Sequence, residues 1–353
     1  MRCFLLRVHV TDLKPGDILQ ADTFNDKGLH VLKKYAELGT TEINKLIQHG
    51  VDYVDVESHT TTENQYNSTK NQESLAKAKP LLANAIDGFE NIFLEAISTG
   101  KVNSSMVDDI FHPLADELSD QSDVVSLLLA NDFTDDYTYQ HSMQVGMLSY
   151  YIASWLGYTK KDAYAVGKAG YLQDIGKCRI PRELLNKPTK LTQEEFEEVK
   201  LHTTYGYEII RSSSMDEVSA LVALQHHERD DGSGYPLRLH VHNIHPFSQI
   251  TAVADVFSAM TTNRVYQSKQ ELLTVLREIY SLSFGKLNAK PTQVFIRHML
   301  PNFIGKNVLL SDGQIGTIVM TNPIDSFRPL IQIESTFLDL STERNLSIEK
   351  LFM

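Results

Sequence analysis

Apolar residues recur every three or four positions through most of the chain, the spacing typical of amphipathic helices. The clearest runs extend from Leu81 to Ile97 and from Met143 to Leu156. Because this spacing puts the apolar side chains on one face of each helix, the helices must pack together to bury that face. The pattern predicts a helical bundle over residues 74–300.

A shorter segment before the bundle mixes strand and helix patterns. Phe4 to Val10 is strand-like, Thr41 to His49 has the pattern of a short helix ended by Gly50, and Val51 to Val56 alternates like a strand. Residues 1–58 are therefore predicted to form a small α+β domain. Residues 59–73 are rich in Thr, Asn, Gln and Ser and contain few apolar residues, which predicts a polar linker.

The pattern changes again beyond Pro301. Val308 to Met320 contains two strand-like runs around a Ser-Asp-Gly turn, and Leu330 to Glu334 is a third. A small β module is therefore predicted for residues 301–353. The predicted fold class is mainly α, with a helical bundle flanked by a small N-terminal α+β domain and this β module.

Glycine and proline predict where the helices of the bundle end. The candidate helix breakers are Gly100, Gly157, Gly206, Pro181 and Pro188. A further glycine, Gly176, fits a helix C-cap.

Composition narrows the classes of function. The 353 residues carry a formal net charge of −12, which argues against binding to nucleic-acid polymers. No apolar run approaches the roughly 20 residues of a membrane helix, and the first residues lack the pattern of a signal peptide, so a cytoplasmic location is expected. The two cysteines are too few for a disulfide framework or a thiolate zinc site. Any metal would therefore be bound by nitrogen and oxygen.

Residues that can bind metal occur within the apolar runs. His226 and His227 are adjacent, and neutral imidazole suits iron, manganese, nickel, cobalt or zinc. Four further residues lie in helix-like, apolar surroundings: His141, Asp174, His202 and Asp255. This pattern predicts one buried metal centre. The nearby residues His240, His242 and His245 are interpreted as loop residues rather than ligands.

These motifs together resemble the HD-GYP family of metal-dependent phosphohydrolases. The resemblance is carried, in the family's order, by Tyr137-Thr-Tyr-Gln-His141, Gln173-Asp174-Ile-Gly-Lys177, His202-Thr-Thr-Tyr-Gly206, His226-His227-Glu228 with Gly234-Tyr235-Pro236, and Ala254-Asp255 followed by Arg264. It implies an HD-type helical bundle. It also implies hydrolysis of cyclic di-GMP to linear pGpG, GMP or both, through in-line attack by a metal-activated hydroxide.

The resemblance implies two divalent ions, iron, manganese or similar, bridged by Asp174. His202, His226 and His227 would complete one ion, and His141, Gln173 and Asp255 would hold the other, with Gln173 and Asp174 side by side on one helix. Asp174 and Lys177 would be catalytic. Substrate would contact Lys177, Arg264, Gly234, Tyr235 and Pro236. Tyr235 is expected to order its loop, and Glu228 to orient a ligating imidazole.

Several positions depart from the family pattern. Gln173 stands where the family has the histidine of its His-Asp pair, and an amide oxygen is a weaker ligand, so one ion should be bound more loosely. Ser258 replaces an aspartate, and Gln267 replaces a basic residue that often contacts substrate. Tyr137 stands where members with three metals have glutamate, so no third ion is expected.

Two alternatives to a cyclic di-GMP phosphodiesterase follow from these departures and from the wider family. A catalytically degenerate member would act as a cyclic dinucleotide sensor or as a partner-binding regulator. An HD-type nucleotidase would act on other phosphoesters, although the Gly-Tyr-Pro motif favours the cyclic dinucleotide branch. GGDEF-domain proteins are expected partners from the resemblance, and a homodimer is a further expectation.

Overall fold

The structure of the chain is a computed structural model that divides into two compact units, Met1–Glu73 and Ser74–Met353. It describes residues 5–10, 13, 15–25, 28–49, 51, 53–57, 63–119, 124, 127, 137–261, 271–322 and 325–352. Among the described helices, none combines the length and the apolarity needed to cross a lipid bilayer.

The first unit contains two short antiparallel strand pairs and one helix. Strand β1 (Leu5–His9) pairs with β4 (Tyr53–Glu57), and β2 (Thr23–Phe24) pairs with β3 (His30–Leu32). Helix α1 (Thr40–Gln48) begins where the Glu42 carboxylate accepts a hydrogen bond from the Gly39 N–H group. These elements have a core of their own, made of Leu19, Leu38, Leu46 and Val54 among others. They agree with the strands and the helix predicted for this segment, whereas Gly50 lies outside the described residues.

Helices make up most of the second unit. Their bounds are α2 (Glu63–Thr99, which begins before the unit), α3 (Ser104–Leu118), α4 (Tyr137–Trp155), α5 (Lys160–Leu172), α6 (Arg182–Leu185), α7 (Gln193–Lys200), α8 (His202–Ser212), α9 (Glu217–Gln225), α10 (Pro246–Thr261), α11 (Leu272–Leu282) and α12 (Ala289–Met299). Short 3₁₀ turns cover Ile175–Arg179, Val241–Asn243 and Leu300–Phe303.

Helix α4 lies at the centre of this unit. Every residue from Tyr139 to Ala153 is buried, including polar ones such as His141, which distinguishes α4 from a surface helix with one polar face. Beside it, the aromatic rings of Phe111 and Tyr171 stack with centroids 5.3 Å apart, joining α3 to α5. The polar residues of α4 are therefore held inside a packed core, where they need partners.

Five antiparallel strands end the chain in the order β8-β7-β6-β5-β9. They are β5 (Asn307–Leu310), β6 (Ile315–Met320), β7 (Leu330–Ile333), β8 (Thr336–Asp339) and β9 (Ile348–Phe352). Val308, Ile331 and Leu351 of the sheet belong to the same apolar cluster as Leu276 and Ile279 of α11. The mainly helical fold class with a small C-terminal sheet is thus confirmed, and the sheet shares its core with the helices.

Some predicted boundaries differ from the structure. Helix α2 begins at Glu63, so most of the segment predicted as a linker, residues 59–73, is helical. Its Glu, Gln and Lys residues favour helix even though it has few apolar positions. Gly100 and Gly157 end α2 and α4 with φ of 69° and 82°, as predicted. The prediction for Gly206 was wrong, because this glycine lies inside α8.

Candidate metal centre

The candidate ligands lie on separate elements that meet in the middle of the second unit. All are buried except His227, which is partly exposed. Their positions are His141 in α4, Gln173 and Asp174 after α5, His202 at the start of α8, His226 and His227 after α9, and Asp255 in α10.

Asp174 lies at a break in the chain between two helical elements. Helix α5 ends at Leu172, and Asp174 has φ −99° and ψ 8° just before the 3₁₀ turn that begins at Ile175. The expectation that Gln173 and Asp174 share one helix was therefore wrong. The break matters because adjacent side chains on a regular helix point in different directions, whereas here both approach His141.

Gly176 lets α8 approach this turn closely. A Cβ atom on Gly176 would lie 1.9 Å from the carbonyl oxygen of His202 and 2.4 Å from the amide nitrogen of Gly206. Only glycine fits at such a contact, so Gly176 is a packing residue and not the predicted helix C-cap. The contact brings the start of α8, and with it the His202 imidazole, next to Asp174.

Two imidazole nitrogens face one oxygen of Asp174. His202 Nε2 lies 3.4 Å from Asp174 Oδ1, and His226 Nε2 lies 3.8 Å from the same oxygen. The two Nε2 atoms are 3.4 Å apart. All three side chains are at most 1% exposed.

The other ring nitrogens determine the protonation of these imidazoles. His202 Nδ1 lies 2.6 Å from the carbonyl oxygen of Val199, and His226 Nδ1 lies 3.0 Å from that of Ala223. A carbonyl can only accept, so each Nδ1 carries the hydrogen and each Nε2 turns a lone pair toward Asp174 Oδ1. Among the described residues this oxygen has no hydrogen-bond partner. Three electron-rich atoms this close in a buried space fit a bound cation.

His227 adds a fourth candidate ligand. One donor atom from each of Asp174, His202, His226 and His227 lies within 4.8 Å of the others, and no other such group of His, Cys, Asp or Glu occurs in the described part of the chain. His227 Nδ1 is also 3.7 Å from Asp255 Oδ2. The donor set consists of nitrogen and oxygen, which is appropriate for a divalent transition metal.

A second set of atoms surrounds the other oxygen of Asp174. His141 Nε2 lies 3.4 Å from Asp174 Oδ2 and 3.1 Å from Asp255 Oδ1, and Gln173 Nε2 lies 3.3 Å from the same ring nitrogen. Lys177 Nζ donates to Asp174 Oδ2 at 2.6 Å. The oxygen Oδ1 of Asp174 therefore faces His202 and His226, whereas Oδ2 faces His141 and Lys177.

Ser258 and Gln144 position His141, a role that the sequence did not suggest. Ser258 Oγ lies 2.9 Å from His141 Nδ1 and donates to Gln144 Oε1 at 2.9 Å. Because the serine hydrogen points to Gln144, the serine oxygen accepts from His141 Nδ1, and Nε2 is left facing Asp255. From the sequence alone, Ser258 stands out because it replaces an aspartate of the family pattern. The sequence did offer one indication of this role, because Ser258 is a polar residue on the apolar, buried face of a helix.

Both carboxylates are ionised in this environment. Burial by itself would raise the pKa of Asp174, but the Lys177 ammonium beside it holds the pKa well below its ordinary value. Burial likewise opposes ionisation of Asp255, but its close contact with the His141 imidazole lowers the pKa overall. Charged oxygens are what a metal cation requires.

His202, His226 and His227 are neutral for the opposite reason. Burial lowers the pKa of His202 to about 4, although the charge of Asp174 opposes this shift. Burial also lowers the pKa of His226, and burial together with the neighbouring imidazoles lowers that of His227 well below its ordinary value. At neutral pH the cluster thus has neutral imidazoles beside ionised carboxylates, the protonation state that binds metal.

The Gly-Tyr-Pro segment folds against the cluster. The Tyr235 ring stacks on His227 with centroids 4.6 Å apart and an interplanar angle of 28°. A Cβ atom on Gly234 would lie 2.5 Å from the carbonyl oxygen of His227, so only glycine allows this approach. Tyr235 therefore contacts a candidate ligand directly.

The Glu228 side chain fixes the backbone of the loop that follows Tyr235. Its buried carboxylate accepts hydrogen bonds from the N–H groups of Leu237 at 2.7 Å and Leu239 at 2.8 Å. The expectation that Glu228 orients an imidazole was therefore wrong, because both carboxylate oxygens are used by the loop backbone.

Other predicted positions lie away from the cluster or outside the described residues. Arg264 and Gln267 fall within residues 262–270, which the structure does not describe, and the same holds for the side chain of Tyr137. His245 Nδ1 accepts a hydrogen bond from the Phe247 N–H group, and neither it nor His240 or His242 belongs to the group of candidate ligands.

The part of the sequence that carries the candidate ligands is similar to known proteins. Residues 124–281 match the HD domain family. The HD domain match includes every candidate ligand described above.

Three curated relatives align with this chain over longer stretches than the HD domain match. A cyclic di-GMP phosphodiesterase of Thermotoga maritima is 40% identical over 182 residues, covering 51% of this chain and 49% of that protein. A cyclic di-GMP phosphodiesterase of Pseudomonas aeruginosa is 28% identical over 265 residues, covering 74% and 63%. A 3′3′-cGAMP-specific phosphodiesterase of Vibrio cholerae is 35% identical over 179 residues, covering 49% and 41%. The chain thus spans about half the length of the curated relatives it matches.

A solved structure supports the fold. An HDG"Y"P protein from Bdellovibrio bacteriovorus superimposes with a TM-score of 0.53 at 17% identity, covering 83% of this chain and 98% of that chain. At this identity the likeness concerns the fold alone.

Proposed function

We propose that the chain is a member of the HD-GYP branch and a metal-dependent phosphodiesterase that hydrolyses cyclic di-GMP to linear pGpG, GMP or both. The observation that carries this proposal is the buried convergence of His202 Nε2, His226 Nε2 and Asp174 Oδ1, three electron-rich atoms within 3.8 Å of their neighbours. The names of the relatives from Thermotoga maritima and Pseudomonas aeruginosa support the substrate.

Two divalent ions, iron, manganese or similar, would fit the two sides of Asp174. His202, His226 and His227 face or flank Oδ1, and His141 faces Oδ2. A carboxylate whose oxygens face different donor sets is suited to bridge two ions. Such a pair supplies charge neutralisation at phosphorus and a more acidic water.

The second position would use Gln173 and Asp255 together with His141. Gln173 is completely buried, and its Oε1 has no hydrogen-bond partner among the described residues. A buried amide oxygen without a partner is unfavourable, and binding a cation would remove that penalty. The oxygen is a weaker ligand than imidazole, so this position would hold its ion less tightly.

The residues of the chain would hold the diester and balance its charge. Lys177 is partly exposed beside Asp174, so its ammonium can contact a phosphate oxygen while it holds the carboxylate in place. Arg264 and the Gly234, Tyr235 and Pro236 segment would contact the rest of the substrate. Water adds to phosphorus, the P–O3′ bond breaks, and the proton lost by water ends on the 3′ oxygen.

Hydrolysis is tested by loading the purified protein in turn with manganese, iron(II) and other divalent ions. Each sample is incubated with cyclic di-GMP and, separately, with 3′3′-cGAMP, and linear products are separated by chromatography. We expect product from cyclic di-GMP, its loss in Asp174→Asn, and its retention in Asp109→Asn, which removes an exposed carboxylate on α3. Binding without product under every metal would instead support the degenerate sensor.

Association with GGDEF-domain proteins and formation of a homodimer stay predictions of the family resemblance. Size-exclusion chromatography with light scattering would test the homodimer directly.

A further inference from the structure

A cleft of about 520 Å³ opens beside the metal centre, between helix α7 and the segment from His227 to Arg238. His227 belongs both to the lining of this cleft and to the group of candidate ligands. Tyr235, which stacks on His227, also lines it. The cleft therefore leads directly from the metal centre to the surface, and its volume is in the range of small-molecule sites.

The cleft is locally basic although the chain is acidic overall. Lys200, Arg229 and Arg238 line it, against the single carboxylate of Glu197. The formal net charge of the whole chain is −12, so a cluster of cations at this one place is a departure from the average surface. A basic cleft attracts an anionic ligand and raises its local concentration.

Lys200 is held in a defined place on the cleft wall. Its Nζ donates to Glu197 Oε1 at 2.8 Å and lies 4.7 Å from the centre of the Phe196 ring and 5.4 Å from that of Tyr235. The ammonium is thus positioned over two aromatic rings before any ligand binds. Such pre-organisation lowers the entropy lost when a ligand is bound.

Arg238 is a second cation on the cleft wall, and its charge acts on the nearby Glu197 carboxylate. No described residue hydrogen bonds to its guanidinium, and the residue has a left-handed backbone with φ of 56°. Left-handed backbone is unfavourable for residues other than glycine, so the loop holds this side chain at some cost. The restraint on the loop comes from Glu228, which accepts from the N–H groups of Leu237 and Leu239 on either side.

We propose that this cleft binds the half of a cyclic dinucleotide that lies away from the metal centre. Lys200 and Arg238 contact the second phosphate, which is not cleaved, and a base packs on the exposed ring of Phe196, which is 40% exposed. The proposal rests on the proposed function, since it assumes that the first phosphate lies at the metal centre. Arginine can contact phosphate through two parallel hydrogen bonds, and lysine as a point charge.

The test measures binding to the full chain loaded with manganese. The probe is a phosphorothioate analogue of cyclic di-GMP that resists hydrolysis, and calorimetry gives its Kd. We expect Lys200→Gln and Arg238→Gln each to raise the Kd at least about tenfold, because each removes a charged contact to phosphate. Lys190→Gln, which removes an exposed lysine outside the cleft, should leave the Kd unchanged.

Glu197→Gln separates a ligand contact from a structural ion pair. If Lys200 serves the ligand, Glu197→Gln should lower the Kd of the analogue, because the amide oxygen can still accept from Lys200 while the negative charge beside the phosphate is lost. If the pair only stabilises α7, both Lys200→Gln and Glu197→Gln should raise the Kd, and that result would overturn the proposal.

A second assay uses bis(p-nitrophenyl) phosphate, which has a single phosphate and cannot reach both sites. The Lys200 and Arg238 variants should hydrolyse it within about twofold of the unaltered rate, while their KM for cyclic di-GMP rises. If the unaltered chain forms no product but the Lys200 and Arg238 variants bind the analogue more weakly than it does, the cleft proposal is supported and the proposed hydrolysis is rejected. Unchanged binding in an active chain, or no analogue binding by the unaltered chain, would reject the cleft.

Discussion

At the residue scale, single hydrogen bonds determine which ring nitrogen of each candidate histidine can bind a metal. His202 and His226 each donate from Nδ1 to a carbonyl three residues earlier, which leaves the lone pair of Nε2 free to bind a cation beside Asp174. His141 is fixed by Ser258 instead. The residue types were recognisable as ligands in the sequence, but the protonated nitrogen of each ring depends on a neighbour that only the fold supplies.

Gln173→His is expected to strengthen metal retention. An imidazole binds divalent transition metals more tightly than an amide oxygen does, so the more weakly held ion should be retained roughly tenfold better. Elemental analysis after dialysis against a chelator measures this effect. Gln193→His, on the exposed side of α7, adds an imidazole outside the cluster and should have no effect. Equal metal content in both variants would contradict the role given to Gln173.

Gly176→Ala should destabilise the protein much more than Gly206→Ala does. The new methyl group at Gly176 would meet backbone atoms of His202 and Gly206, which cannot move independently, so we expect a loss of about 3 kcal/mol or more. At Gly206 the nearest atom is the Cβ of Ala223 at 3.2 Å, and the gain in helix propensity offsets the crowding. Urea unfolding of the two variants gives the comparison, and similar losses would mean that the close contact at Gly176 is not limiting.

Ion pairs and hydrogen bonds join neighbouring helices at the scale of elements. Lys168 of α5 donates to Asp108 of α3 at 2.7 Å, and Tyr164 donates to the same carboxylate oxygen at 2.6 Å. Lys168 is only 9% exposed, so its ammonium depends on this partner. The apolar spacing predicted a helical bundle over this part of the chain, but not this connection between the polar faces of two helices.

Asp108→Asn should therefore destabilise the second unit at neutral pH. We expect a loss of about 1.5 kcal/mol, at the lower end for a charged hydrogen bond because the carboxylate is partly exposed. Asp109→Asn, at an exposed position next to it, is the matched control. Urea unfolding measures both.

The effect of Asp108→Asn should also depend on pH. Burial opposes ionisation of Asp108, but the hydrogen bonds from Lys168 and Tyr164 lower its pKa overall. A carboxylate with a lowered pKa stabilises the fold above its unfolded pKa, and this contribution disappears as the pH falls through the folded pKa. The difference between the unaltered chain and the variant should thus shrink in acid. A constant difference would mean that charge is not the cause.

Helices and sheet share one core at the scale of the whole second unit. Leu273 and Phe303 lie with Ile318 and Ile348 around a small cavity between the helices and the sheet, and Arg277 donates to the carbonyl oxygen of Ile348 at 3.3 Å. The sequence predicted the β module from its strand pattern alone. It could not show that the module covers α11, because the apolar pattern of α11 is the same whether the helix packs against a sheet or against another helix.

A fragment of residues 74–300 should consequently fail to fold, whereas residues 74–353 should unfold cooperatively. Each large apolar side chain that the truncation exposes lowers the free energy of unfolding by about 1.5 to 3 kcal/mol. A whole domain has a free energy of unfolding of only about 5 to 15 kcal/mol. Loss of a few such side chains, including Leu276 and Ile279, is therefore sufficient. Thermal melting followed by circular dichroism tests both fragments. A sharp transition in the shorter one would show that the sheet is dispensable.

The helical bundle, the strands at both ends and the identity of the candidate ligands could be predicted because they depend on local spacing and residue type. The helix over residues 63–73 could not, since its polar residues favour a helix only through propensity. Glu228 is expected from the sequence to orient an imidazole, yet it accepts hydrogen bonds from backbone N–H groups nine and eleven positions later. Which groups this carboxylate reaches depends on the path of the loop, which the sequence does not show.

The sequence by itself determined which side chains of this protein can bind a metal, because histidine has its lone pairs and aspartate its charge wherever they lie. It also determined the order of the motifs. The tertiary structure alone decided how those atoms face each other. Asp174 turns one oxygen to His202 and the other to His141, and Ser258 supports His141 from 117 positions away. Such contacts depend on which helix faces meet, and only the packing of the complete core sets that.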